Sequence, residues 1–544
     1  MIKQIWIALT KKEQRVFLIA TAFCVASSVA AAAIAMNKNS VFIPVAGGIL
    51  REGEVGQPVA INPVISGNPV DLDISALVYG KVGDILTSHE TTGDSKVHTI
   101  KIREGVTWSN DRPLTSDDIV FTIRRIQDPE AKSPLFKKWA GIVVERVSEL
   151  QVRLTLQNPY AFFPEMIRTL PIIPEHVFGK IPSANLKLSD YNLAPVGSGP
   201  YKLKNLVKRK DGFIKEIRLI RNALYPLEPA FIDEIIFVFF ENEESRVQAL
   251  KKRQIDAIGS GNPLLGIEKE GSNIKTDILP FSRVYGIFMN ENINPLLKNK
   301  TTRQALRDAL DKKEMTRALF GEEIGSPLEG PMVGLPENAL QNKLSKEEIA
   351  SHLAQRKKAE GELVLNLMVP DVEFLKRTAR IVKESWESAG VDSVNLIVLP
   401  SEDILENVIK PGNYEMLLFG TIAETPEDIF PFWHSSERYY PGLNLSLYKN
   451  TRADALMERI RKTEDPEERG ALGEELDAVI RNDIPAIFLY TLPYVHVHIK
   501  KLREVAPQNP YISSPSERFE NVAKWYVKQA RVVNPAPLLP KTSK

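Results

Sequence analysis

The histidines offer the first chemistry to weigh. Of seven in the chain, only His496 and His498 sit close together, in the segment YVHVHIK. On a strand that spacing points both imidazoles to one face, where they would hold zinc or copper if a third ligand converged. No third ligand lies near them in sequence, and a polar strand face accounts for the pair equally. Three carboxylates, Glu424, Glu427 and Asp428, follow the apolar run YEMLLFG. Ligand groups in α/β folds sit in loops at the carboxyl ends of sheet strands, although a solvated acidic loop has the same composition. The glycine-rich stretch 196–201 (VGSGPY) lacks the spacing and the lysine of a phosphate cradle, and Pro200 removes an amide donor. A tight turn feeding a strand fits it better. No G-x-S-x-G, H-E-x-x-H or G-x-x-x-x-G-K-[ST] sequence occurs. The single cysteine, Cys24, lies in an apolar segment, where it is no solvent-side nucleophile. These residues assign no catalytic group and require no metal or other cofactor.

The elements that must carry such residues come in two classes. Residues 16–36 form an uncharged run of 21, preceded by Lys3, Lys11, Lys12 and Arg15 against Glu13 alone. A helix of that length crosses a hydrocarbon core of about 30 Å, and the positive-inside rule puts the remainder of the chain outside the cytoplasm. Three fates of this segment compete. Signal peptidase could cut after Ala33-Ile34-Ala35; Cys24 could be lipidated, although Phe23 before it is the wrong residue; or the helix stays as an uncleaved anchor, which fits its length best. Residues 1–15 would then be a cytoplasmic head and 37–47 a short tether.

Beyond the tether the pattern alternates between strand-like and helix-like stretches. Val97–Ile102 reads as a strand of period two, and Thr115 with Asp118 forms a capping box opening a helix striped by Ile119, Val120, Ile123 and Ile126. Two β-α-β units follow. One has the apolar strand 235–240 and resumes at 255–258; the other runs from strand 363–369 through a helix closed by Gly390 to strand 394–399. Strands 414–420 and 484–491 add to these, so the fold class is α/β with parallel or mixed sheets. Hydrophobic residues at 43% exclude a disordered chain, and 70 basic against 69 acidic residues give no electrostatic reason for a nucleic-acid partner.

Six segments, in order, resemble one family: QPVAINPV (57–64), HTIKIREGVTWSNDRPLTSDDIVFTIRRI (98–126), PVGSGPYKL (195–203), FIDEIIFVFF with RVQALKKRQIDAI (231–258), YGIFMNENINPLLKNKTTRQALRDALDKKEM (285–315) and LVLNLMVPD (363–371). The chain is similar to the family 5 extracellular solute-binding proteins, the dipeptide- and oligopeptide-binding components of ABC transporters. The resemblance implies a two-lobed, hinged fold of the periplasmic-binding-protein kind (class II) with an inserted domain. Lobe one would comprise 48–85, 195–285 and 487–531; the inserted domain 86–194; lobe two 286–486; and 532–544 would be a disordered tail. The hinge would cross near 281–290 and near 484–492. By the same resemblance the protein is a monomeric receptor, not an enzyme, that closes over a short peptide and passes it to permease subunits while its N-terminal helix holds it to the cell membrane. Family members also bind oligosaccharide, nickel or haem, and a secreted peptidase or an adhesion module remains as an alternative. Peptide-binding members have an aspartate where this chain has Glu424, which would meet the ligand's ammonium group beside Ala423 and Ile422. Tyr285 and Asn290 would face the cleft, and Asn62 is placed with the ligand-binding residues. The family's tryptophan after the glycine is Thr421 here, and its Asp-Gly turn is Asp111-Arg112.

Overall fold

The computed structural model describes residues 10–38, 40–262, 273–321, 324–335, 343–507 and 511–533. Three sheets organise them behind one N-terminal helix. The first has seven strands, ordered Ile274–Leu279, Tyr494–Ile499, Ala257–Ser260, Ile49–Val55, Glu234–Phe240, Ile214–Arg221 and Tyr201–Lys208. Its three central strands are parallel and its outer pairs antiparallel. The second has six, ordered Ser326–Pro327, Ala486–Thr491, Arg283–Met289, Met416–Ile422, Val364–Pro370 and Ser393–Leu399. The third is an antiparallel four-stranded sheet of Leu86–Thr91, Val97–Ile102, Gln151–Thr155 and Val143–Ser148. This is the mixed α/β, two-lobed architecture with an inserted domain.

Local signals account for the elements. Thr115 and Asp118 satisfy each other's amides and start the helix Ser116–Gln127, and the stripe Ile119, Val120, Ile123, Ile126 is buried. In the unit over 364–399, the helix Glu373–Ala389 buries Leu375, Ala379, Val382 and Trp386, and Gly390 ends it at a φ of 120° that only glycine adopts without strain. The VGSGPY stretch is a packing device. A β-carbon at Gly197 would stand 1.9 Å from the Val78 carbonyl oxygen, so the chain passes there only without a side chain.

The first lobe and the inserted domain share one apolar core, running from Leu50, Ile235 and Trp525 to Ile100, Trp108 and Val152. They therefore move as a unit. The six-stranded sheet is covered on its two faces by separate clusters, one around Leu306, Val369 and Trp386, the other around Phe288, Trp433 and Leu476. Inside the first lobe Arg518 is fully buried among Glu52, Glu54 and Asp73, at 3.1, 2.8 and 2.7 Å.

Two strands run through both lobes. Ile274–Leu279 passes through Pro280–Ser282 into Arg283–Met289, and Ala486–Thr491 passes through Leu492 and Pro493 into Tyr494–Ile499. The boundaries expected at 285/286 and 486/487 thus cut through strands of the second lobe. Apolar residues stand on both sides of each crossing, so the apolar runs alone do not mark it, whereas Pro280 and Pro493 interrupt the ladders where the sheets part.

The termini also differ from expectation. The helix spans Lys11–Lys38, with Thr10 and Glu13 capping it, so residues 11–15 are helix rather than a separate head. Residues 40–44 of the supposed tether are a strand, paired antiparallel with Gln529–Val533. Residues 532 and 533 of the supposed tail belong to that partner; 534–544, and 1–9 of the head, lie outside the described residues.

Candidate functional site

The second lobe's strand Met416–Ile422 ends beside the crossing, where Ala423 N–H donates to the Ser282 carbonyl. Gly420 lets the Tyr285 ring lie across the strand, since a β-carbon there would come within 2.6 Å of that ring. Alternation then divides the next residues. Thr421 and Ala423 face a slot also lined by Ser282, Val284, Phe432 and Trp433, while Ile422 and Glu424 point outward. The slot holds about 10 Å³, room for one water. At the crossing Arg283 donates to Gly261 carbonyl of the first lobe at 3.0 Å and to the Tyr285 hydroxyl at 2.9 Å.

After the end of the strand Met416–Ile422, the inserted domain grips the second lobe. Tyr160 Oη donates to Asp428 Oδ2 at 2.9 Å, and Arg461 binds the same carboxylate through Nε and Nη2 at 2.9 and 3.0 Å. Arg461 also lies 3.8 Å over the Phe430 ring. Phe162 buries itself in the second lobe's cluster with Arg469 over its ring, and Arg469 pairs with Glu427 at 3.2 Å. Lys137 and Lys138 pair with Glu437 and Glu424 respectively. These contacts form a clasp between the inserted domain and the second lobe. An Arg461→Ala variant leaves the almost fully buried Asp428 carboxylate with the Tyr160 hydroxyl but without its paired cation, and should cost closure about 1–2 kcal/mol. X-ray scattering of the unliganded protein should then show a larger radius of gyration than the parent; superimposable curves would contradict the clasp.

The structure separates the residues expected to form the site. Ala423 lines the slot. Ile422 is exposed, and Glu424 is held by Lys138 with 64% of its side chain accessible. Tyr285 does not face an open cleft: it is buried against Phe374 and Tyr490, because its strand is central and covered on both faces. Asn290 lies beyond the far end of that strand, donating to Gly412 carbonyl at 3.1 Å and accepting from Asn292 N–H. Asn62 is a buried turn residue of the first lobe whose Oδ1 accepts from Val64 N–H. All three loop carboxylates serve the clasp, Glu424 through Lys138, Glu427 through Arg469 and Asp428 through Tyr160 and Arg461. The aromatic run 430–433 (FPFW) and Lys138 escaped notice in the sequence. The former carried a visible signal, two aromatics flanking the slot; the latter carried none.

The two histidines share a strand face, with ring centroids 5.3 Å apart, but each has its own carboxylate. His496 lies 3.6 Å from Glu52 and His498 2.8 Å from Asp277. Burial opposes ionisation of Asp277, yet hydrogen bonds from His498 and Lys275 outweigh it and hold the carboxyl at about 2. A lowered carboxyl stabilises the fold above its unfolded value and loses that contribution as pH falls. Asp277→Asn should therefore cost about 1–2 kcal/mol at neutral pH and flatten the decline in stability between about pH 4 and 2, read from urea midpoints across a pH series. An unchanged acid limb would refute the assignment.

Comparison with known proteins follows from this geometry. The pattern of the bacterial extracellular solute-binding proteins, family 5 (middle region) matches residues 81–439. The oligopeptide-binding protein AppA of Bacillus subtilis is 26% identical over 527 residues, covering 90% of this chain and 93% of AppA. Among solved structures, the ABC transporter substrate-binding protein CtaP of Listeria monocytogenes aligns with a TM-score of 0.73 at 25% identity, covering 89% of this chain and all of that one. Bacillus subtilis AppA in complex with a nonapeptide aligns with a TM-score of 0.71 at 22% identity, again over 89% and 100%.

Proposed function

We propose, on the premise that this chain belongs to the bacterial extracellular solute-binding proteins of family 5, that it captures short peptides between its lobes and delivers them to an ABC transporter permease. The paired strand crossings carry this reading, because two side-by-side, antiparallel connections allow the lobes to rotate about Pro280–Ser282 and Leu492–Pro493 and little else. A slot with room for one water must open to load, and the clasp supplies contacts that re-form on closing. Peptide as the cargo is supported by the name of the Bacillus subtilis relative and by the nonapeptide bound to it. Glu424 would accept the peptide's ammonium group, displacing Lys138. Backbone polar groups at the strand ends near Ser282 and Ala423 would meet the peptide's own, giving affinity without reading side chains.

The helix Lys11–Lys38 would remain as an anchor, holding a monomeric receptor to the outer face of the cell membrane; its segment 11–32 is long and apolar enough to cross, and none of it is buried against the fold. No hydrolytic role belongs to this reading. The test is to purify the protein, denature it and identify released small molecules by mass spectrometry, followed by thermal stabilisation with synthetic peptides. A peptide at 100 times its dissociation constant should add about 2.7 kcal/mol. Release of only non-peptide solutes, with no stabilisation by any peptide pool, would overturn it.

A further inference from the structure

The described structure joins the N-terminal helix to the fold through a two-stranded ribbon with little other support. Strand Ser40–Pro44 pairs with Gln529–Val533 in the register Val41 with Val532, Phe42 with Arg531 and Ile43 with Ala530. Residues opposite each other across a ladder share a face. One face is therefore wholly apolar: Val41, Ile43, Val532 and Ala530. The other presents Phe42 with the Arg531 guanidinium 5.8 Å from its ring centroid. Val41, Phe42, Ile43 and Val532 are all exposed, Phe42 at 65%. A two-stranded ribbon with both faces in water is marginally stable at best, so an apolar face of this kind needs a cover.

Position identifies the cover. The uncharged run ends at Met36, and the ribbon starts at Ser40, four residues on. The helix itself continues to Lys38, a rise of only about 3 Å past Met36, so Ser40, two residues further, starts at or next to the headgroup layer of about 5–8 Å that separates hydrocarbon from water. Charge agrees with this location. Neither strand holds an acidic residue, and Lys38, Lys528 and Arg531 stand in or beside them, the composition of an element that sits at a lipid surface with cations toward phosphates.

We propose that the ribbon lies on the membrane interface, its Val41–Ile43–Val532–Ala530 face against the acyl boundary and the lysines flanking its strands at the level of the lipid phosphates, while Arg531 stays with Phe42 and Ser40 on the far face. The folded body would then be pinned to the bilayer at its C-terminal strand as well as at its helix, with a set orientation instead of swinging on a loose tether. This rests on the reading of the helix as a retained anchor.

The test uses the full-length protein in lipid nanodiscs of phosphatidylcholine with a minority of phosphatidylglycerol. In a Cys24→Ser background, an environment-sensitive fluorophore is placed by Val41→Cys, and separately by Val532→Cys in case one label disturbs the ribbon. An Ile278→Cys label on an exposed edge of the first lobe is the reference. At least one ribbon label should shift to the blue and be quenched by a shallow lipid-borne quencher several-fold more than the reference. Disc-bound protein whose two ribbon labels both match the reference would overturn the proposal alone. Quenching that appears only when a permease is reconstituted with the protein would overturn it in favour of a protein partner. Protein that leaves the discs altogether, or whose mature N-terminus is Met36, would overturn the anchor reading and the proposal with it.

Discussion

An Arg518→Ala variant should be about 3–5 kcal/mol less stable than the parent, because it strips the cation from a fully buried set of carboxylates. Arg518 reaches Glu52 and Glu54 on the central strand Ile49–Val55 and Asp73 on the helix Pro69–Val78, and it stacks on Phe519 at 4.1 Å. One side chain thereby ties the C-terminal segment to the middle of the first lobe. Burial pushes Glu54 well above the ordinary glutamate range, and the nearby Asp73 charge adds to it; burial raises Asp73 too, against the pull of Arg518. A raised carboxyl holds a proton in the folded state that the unfolded chain has lost, so its contribution is lost as pH rises through the raised value. Removing Arg518 should therefore cost more as pH rises above the ordinary carboxylate range. Urea denaturation across pH measures both effects. Arg518→Met combined with Glu52→Gln, Glu54→Gln and Asp73→Asn should recover much of the loss, since removing all the charges costs less than stranding some. A single-variant loss below about 1 kcal/mol would show that the cluster does not depend on its cation.

Glu424→Gln should weaken binding of a free-amine peptide by roughly 30-fold or more, the range expected when one partner of a desolvated charge pair is truncated at about 2–5 kcal/mol. Lys138 pairs with this carboxylate in the structure, and the pair is partly exposed, so exchanging one ammonium for another costs at most about 1 kcal/mol. Lys138→Met should accordingly tighten amine binding by up to about fivefold and leave an N-acetylated peptide unaffected. Acetylation and Glu424→Gln remove the same contact, so their losses should fall short of additivity. Calorimetry on the four protein–peptide combinations decides. Full affinity of the Gln variant for the peptide found in the purified protein would remove Glu424 from the site while leaving peptide capture intact.

What the sequence determined by itself is local. Thr115 with Asp118, the apolar stripe after them and Gly390 each act within a few residues, so the helices Ser116–Gln127 and Glu373–Ala389 stand where the pattern puts them. The apolar strands were legible for the same reason, and the order of quoted segments was enough for the family. Faces and pairings were not. After Arg283, Tyr285 sits on a run, VYGIFM, with no charged residue, and such a run carries no mark of which face meets the cleft and which the core. Only the neighbouring strands Met416–Ile422 and Ala486–Thr491, with the helix bearing Phe374, turned its ring inward. Lys138 and Glu424 are 286 residues apart, and Arg518 and Glu52 are 466 apart. Charge pairs at such separations leave no periodic trace, because a solvated lysine and a paired one are the same letter. The ribbon of 40–44 with 529–533 is the extreme case, two short segments from opposite ends of the chain whose strand character exists only once each supplies the other's hydrogen bonds.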